Sequence, residues 1–228
     1  MNKSWLKFPC KATQLRLDLV LASGQSFRWK QNELTKVWTG VISDKVWDLK
    51  QDGDCISYFV HETQIKSKGP LLPEENYRAV LEDYFNLSFD VEKLSQLWCK
   101  ADTHFEYVSR TFRGMRTLRL DPVENTFSFI CSSNNNIPRI TSLVSSLCRM
   151  YGKKLETVDD NDWEYYTFPR VSALAGNKVE QELRDAGFGY RAKFINQSAK
   201  AIVKKNRAEG QCWLSTLRDL PYSEARAG

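Results

Sequence analysis

The sequence predicts an α+β protein in two parts, an N-terminal antiparallel β-sheet with helices over residues 1–113 followed by an all-helical part over residues 114–228. Three observations carry this. Apolar residues alternate at period two in several runs between residues 15 and 60, the pattern turns helical after Gly69 and Pro70, and helix-start signals recur from Gly114 onward with no further strand pattern. A chain of 228 residues with 42% hydrophobic and 12% aromatic side chains can fill one sizeable core or two smaller ones.

The first element expected is a half-buried strand over residues 15–21, where Leu15, Leu17, Leu19 and Leu21 alternate with Arg16 and Asp18. A turn follows at Ser23 and Gly24. Strand-like runs at 37–42, 46–50 and 55–60 are separated by the polar stretches 43–45 and 51–54, which makes an antiparallel meander. Pro73 then opens a helix with Tyr77, Val80, Leu81, Tyr84 and Phe85 on one face, and two more helices start at Asp90 and Asp102. In the second part, Asp121, Pro122 and Glu124 supply an N-cap, a proline at the first helical position and a capping-box acid, so a helix runs into Cys131. Asn177 and Glu180 form a second capping box, whose helix ends where Gly187 takes the left-handed conformation. Another helix begins near Tyr190, and residues 221–228 start one more.

Composition narrows the function classes. The net charge of +5 permits a polyanionic partner without demanding one. Six scattered cysteines with no Cys-x-x-Cys pair, and only His61 and His104, are poor material for a zinc site. They suit free thiols in a reducing intracellular compartment. No run approaches a membrane span, and the N-terminus has no apolar leader core. With two histidines, no Ser-His-Asp or Cys-His arrangement suggests itself, and no lysine stands out as a Schiff-base nucleophile.

Three local patterns could carry function. Residues 191–207 hold Arg191, Lys193, Lys200, Lys204, Lys205 and Arg207 with no acid, beside an apolar face of Phe194, Ile195, Ile202 and Val203. Such a helix either presents a solvated face or contacts phosphates, and spacing does not decide between them. The run SSNNN at 132–136 sits between two expected helices, where Asn136 suits an N-cap and the excess of amides hints at more. GFGYRA at 187–192 matches the dinucleotide fingerprint, but that fingerprint needs a strand before it and here a helix is expected.

Taken together, LRLDLVLASGQSFRW at 15–29, FSFICSSNNN at 127–136 and GFGYRA at 187–192 resemble the eukaryotic 8-oxoguanine DNA glycosylase family, from about Pro9 to Ala225 and in the family's order. The resemblance implies a sheet-and-helix N-terminal domain joined to a partial helical domain of the helix-hairpin-helix glycosylase superfamily. It implies base-excision repair: 8-oxoguanine opposite cytosine is flipped out of the duplex and excised, with apurinic-site lyase activity. The oxidised base carries a hydrogen on N7 where guanine has an acceptor, and the family's discriminating carbonyl corresponds to Gly24. Asn134 corresponds to the residue that fills the vacated space, Tyr190 to the wedge in the opposite strand, and Arg139 and Arg191 to the contacts with the unpaired cytosine. The implied partner is double-stranded DNA containing oxidised guanine, met by a monomer without cofactor or metal, in the nucleus or the mitochondrion.

The departure from the family matters as much. After residues 221–225 the family continues into its helix-hairpin-helix, the nucleophilic lysine and the catalytic aspartate, whereas this sequence has Arg226, Ala227 and Gly228. The expectations are that the 228 residues hold no catalytic residue and are inactive. The helical part is also expected to fold marginally, with Phe127, Phe129, Leu143 and Leu147 left uncovered. A non-enzymatic damaged-DNA-binding or interaction module is the rival reading, and a nicotinamide-dependent oxidoreductase ranks far below it.

Overall fold

In the computed structural model, which describes residues 4–61, 76–156 and 163–227, the chain forms two compact units. The first comprises Met1–Leu120 with Leu155–Tyr165, the second Asp121–Lys154 with Tyr166–Gly228.

The first unit is built on a five-stranded antiparallel sheet, Leu6–Pro9 (β1), Lys30–Gln31 (β2), Trp38–Ile42 (β3), Lys45–Asp52 (β4) and Cys55–Val60 (β5), in the order β1-β5-β4-β3-β2. The meander β3-β4-β5 is the expected one. Its register sets Gly40 opposite Trp47. A Cβ on Gly40 would lie 2.4 Å from the Trp29 ring, so glycine there lets the indole lie flat on the sheet. β1 and β2 occupy the two edges, and β1 ends in Pro9, which an edge strand tolerates.

Residues 15–21 are not a strand. Leu17–Val20 is a short helix (α1), and the buried side chains are Leu15, Leu17, Val20 and Leu21, with Leu19 partly exposed. The reason is visible in the backbone bonding. The Gln51 amide donates to the Leu15 carbonyl at 2.7 Å and accepts from the Leu17 N–H at 3.0 Å, so a side chain takes the place of a strand neighbour.

Three helices follow. In Tyr77–Tyr84 (α2), Leu81 and Tyr84 are buried, as is Phe85 just beyond, while Pro73, the expected start, lies outside the described residues. Val91–Ala101 (α3) and Thr103–Ser109 (α4) are capped by the expected aspartates, Asp90 accepting from the Lys93 N–H and Asp102 from the Phe105 N–H. Residues beyond Gly114, expected to open the helical part, are stitched to the first unit up to Leu120. Arg116 does most of this: it donates to the carbonyls of Gln14 (2.7 Å), Phe85 (3.2 Å), Asn86 (2.7 Å) and Phe89 (3.2 Å) and to Gln14 Oε1 (3.2 Å). Arg119 N–H adds a bond to the Tyr84 carbonyl.

The second unit is mostly helical: Pro122–Ser132 (α5), Ile137–Tyr151 (α6), Val171–Leu174 (α7), Val179–Leu183 (α8), Arg191–Glu209 (α9), Trp213–Thr216 (α10) and Tyr222–Ala227 (α11). Sequence reading also missed the short ladder of Lys154–Leu155 (β6) with Tyr165–Tyr166 (β7), whose Leu155 and Tyr165 belong to the first unit, because two-residue strands carry no period. The second capping box does not form: α8 starts after Lys178 with no side-chain cap, since Asn177 is one residue too early. The apolar face of α9 is Ala192, Ile195, Ala199 and Ile202, while Phe194 is exposed. A helix packed against α5, α7 and α8 buries small residues where its neighbours come close. Phe127, Leu143 and Leu147 are all buried, so of the four side chains expected to be uncovered only Phe129 is exposed.

The α5 cap has a measurable share in this. The Asp121 carboxylate accepts from the N–H groups of Val123 (2.9 Å) and Glu124 (3.0 Å). Asp121→Ala is expected to lower stability by about 1 kcal/mol, read as a shift in the urea midpoint at constant slope, whereas Asp121→Asn keeps most of it.

Candidate nucleic-acid interface

The residues that resemblance marks in the second unit meet in one place. Asn134, Asn135, Asn136, Arg139 and Arg191 line an open cleft of about 410 Å³, and among the described residues no acidic side chain lines it. Two local geometries build it. Between α5 and α6 the chain reverses through residues 133–136, and Asn134 takes φ of +46°, a region where asparagine is among the least strained side chains. The Asn135 amide donates back to the Cys131 carbonyl at 3.0 Å, and Asn136 caps α6 by accepting from the Arg139 N–H at 3.0 Å. Between α8 and α9 the chain turns at Gly187, with φ of +84°, and Gly189, with φ of +58°. Since helix rather than strand precedes these glycines, they make a tight connection and not a dinucleotide loop.

The carbonyl of Ser133 joins the two segments. It accepts from the Tyr190 hydroxyl at 3.0 Å and from Arg191 Nη2 at 2.5 Å, and Arg191 Nη2 also donates to the Asn134 carbonyl at 3.3 Å. The Arg191 guanidinium stacks on the Tyr190 ring at 4.7 Å. Arg139 reaches the Gly187 carbonyl at 3.5 Å, which leaves most of its donor fork available.

The electrostatics are unusual for a structural cluster. Arg191 is only 7% exposed, has no acidic partner among the described residues, and buries its Nε without a hydrogen-bond acceptor. It is also the first residue of α9, and Arg139 lies in the first turn of α6. Their guanidinium groups reach away from those N-termini to main-chain carbonyls, Arg191 to Ser133 and Asn134 at the C-terminal end of α5 and Arg139 to Gly187, where the backbone field favours a cation. Two other helical arginines have an acidic partner four residues away, Arg78 with Glu82 and Arg184 with Glu180. The buried Cys131 thiol lies near enough to Arg191 to feel its charge, yet burial dominates and pushes its pKa up to about 12. That thiol stays protonated and is no nucleophile.

Sequence reading did not find the Ser133 carbonyl or the burial of Arg191. A backbone acceptor leaves no trace in residue type, and an arginine beginning a basic helix reads as exposed.

Gly24 lies in the first unit. Its φ is +78°, in a turn after α1. Gln25 fixes that turn by donating to the Arg116 carbonyl at 3.0 Å and accepting from the Leu118 N–H at 2.9 Å. The backbone at Gly24 is therefore held by its neighbour and not by a side chain of its own.

Comparison with known proteins agrees along the chain. Residues 7–126 match the family described as "8-oxoguanine DNA glycosylase, N-terminal domain", and residues 127–223 match "HhH-GPD superfamily base excision DNA repair protein". The chain is 35% identical over 225 residues to the N-glycosylase/DNA lyase OGG1 of Arabidopsis thaliana, covering 98% of this chain and 58% of that protein. It is 31% identical over 235 residues to the N-glycosylase/DNA lyase of Saccharomyces cerevisiae, covering 99% of this chain and 61% of that one. The chain thus spans roughly three-fifths of the length of these relatives. The structure is also similar to the 8-oxoguanine glycosylase/lyase of Clostridium acetobutylicum in complex with double-stranded DNA containing cytosine opposite 8-oxoguanine. That likeness has a TM-score of 0.75 and 26% identity, over 93% of this chain and 66% of that chain.

Proposed function

Since this chain belongs to the 8-oxoguanine DNA glycosylase family, we propose that its second unit holds the cytosine opposite a flipped, oxidised guanine and that its first unit contributes the Gly24 carbonyl that reads the lesion. The observation that carries this is the cleft in which Arg139 and Arg191 meet and which, among the described residues, no acidic side chain lines. A pair of guanidinium groups held by main-chain carbonyls, with no carboxylate partner among the described residues, is suited to an acceptor-rich edge, and unpaired cytosine offers N3 and O2. Asn134, exposed at the rim on a left-handed residue, fills the space left by the flipped nucleotide, and Tyr190 wedges against the opposite strand.

The full reaction of the family, base release followed by strand cleavage, is proposed for the longer proteins and not for these 228 residues. Among the described residues no lysine lines the cleft, and the 228 residues do not extend to the positions that resemblance assigns to the nucleophile and the catalytic aspartate. To these 228 residues we assign recognition of damaged duplex by a monomer.

Arg139 offers the direct test. Affinity for duplexes carrying an abasic-site analogue opposite cytosine or adenine is measured by fluorescence anisotropy at several salt concentrations. Arg139→Ala is expected to lower the cytosine preference by about 1–3 kcal/mol while leaving the salt dependence nearly unchanged. A preference undiminished in Arg139→Ala, or a loss equal on both duplexes, contradicts the assignment.

A further inference from the structure

Tyr190 is held more firmly than an exposed aromatic needs to be. Its hydroxyl is tethered to the Ser133 carbonyl at 3.0 Å and the Arg191 guanidinium lies over its ring at 4.7 Å. The Phe194 ring stands nearly perpendicular to it, with centroids 6.3 Å apart and an interplanar angle of 83°. Tyr190 immediately precedes α9 and Phe194 follows four residues later, so helical geometry puts both rings on one face.

Phe194 has no comparable work in the core. It is 52% exposed, and α9 packs through Ala192, Ile195, Ala199 and Ile202. Among the described residues its ring contact is with Tyr190. An aromatic left out in water on a helix otherwise polar on that side, and set edge-to-face against one neighbour, acts on that neighbour.

We propose that Phe194 is a positioning residue for Tyr190: with the Ser133 tether and the Arg191 stack, it fixes the tyrosine ring in one orientation before DNA arrives. The idea rests on the reading of Tyr190 as the wedge and adds the device that orients it. A wedge free to rotate would lose rotamer freedom on binding, whereas one ordered beforehand does not, so the benefit appears as affinity and as unstacking of the base it pushes against.

The test uses the whole 228-residue chain and a duplex carrying 2-aminopurine next to the cytosine opposite an abasic-site analogue, since 2-aminopurine brightens when unstacked. Phe194→Ala is expected to weaken binding about two- to tenfold and to lower the fluorescence of the saturated complex, while Phe194→Tyr preserves both. In a Tyr190→Ala background the same change is expected to do almost nothing, because a residue acting through another loses its effect when that other is gone. Additive losses would overturn the proposal by giving Phe194 a DNA contact of its own. A loss of helical circular dichroism in Phe194→Ala would overturn it by making the role structural. If Tyr190→Ala leaves the fluorescence unchanged, the wedge reading itself fails. If Tyr190→Ala dims the probe and Phe194→Ala does not, only the role of Phe194 fails. Absence of any duplex binding by the unchanged protein overturns both.

Discussion

The 228-residue polypeptide is expected to release no 8-oxoguanine from a lesion duplex and to leave no covalent adduct when borohydride is added during incubation. Both outcomes need an amine that attacks C1′ and forms a Schiff base, and such an amine must stand beside the sugar with its charge suppressed. Lys193, Lys200 and Lys204 are exposed along α9, and among the described residues no lysine lines the cleft. Losing the nucleophile of a covalent mechanism removes rate by a factor on the order of 10⁶, which places turnover beneath detection. Free base measured by chromatography, or a trapped band at any lysine, would overturn the assignment of recognition without excision.

The largest effect on stability is expected at Arg116. Its five N–H donors all meet oxygens, and four of those are carbonyls from three stretches of chain, around residues 14, 85–86 and 89. Arg116→Ala would leave these acceptors facing a void, at a cost of about 3–5 kcal/mol, a large share of what a domain of this size possesses. Arg116→Lys restores a charge but cannot reach so many acceptors at once, so it should recover a minor part. Chemical denaturation followed by tryptophan fluorescence reports it, since Trp29 and Trp47 are buried in this unit. A loss below about 1 kcal/mol for Arg116→Ala would show that the stitching is incidental.

Much of the fold was legible because local signals agreed with tertiary ones. Asp90, Asp102, Asp121 and Asn136 cap the helices they were expected to start, and the meander strands fall at the alternating runs. The failure at residues 15–21 has a specific cause. A leucine at every second position also contains helical spacings, and Gln51, thirty-odd residues away, satisfied the backbone that a strand partner would have satisfied. Arg116 was illegible for the same reason, because its acceptors are main-chain oxygens and main chain has no sequence.

The cleft divides along similar lines. Its amide run and its glycine turn stood out as unusual, and resemblance supplied the roles of Asn134, Arg139, Tyr190 and Arg191. What could not be read was the convergence of Tyr190 and Arg191 on the Ser133 carbonyl, a contact between segments 57 and 58 residues apart. Nor did the pattern separate the two arginines, one exposed and the other nine-tenths buried.

The central claim is that the second unit holds the base opposite the lesion, and one comparison meets it most directly. The unchanged protein, shown to be folded by circular dichroism, is titrated at low salt into duplexes that differ only in cytosine or adenine opposite an abasic-site analogue. Tighter binding to the cytosine duplex by about tenfold or more is predicted, as two guanidinium groups facing an unpaired cytosine require. Equal affinity for the two duplexes would contradict the account.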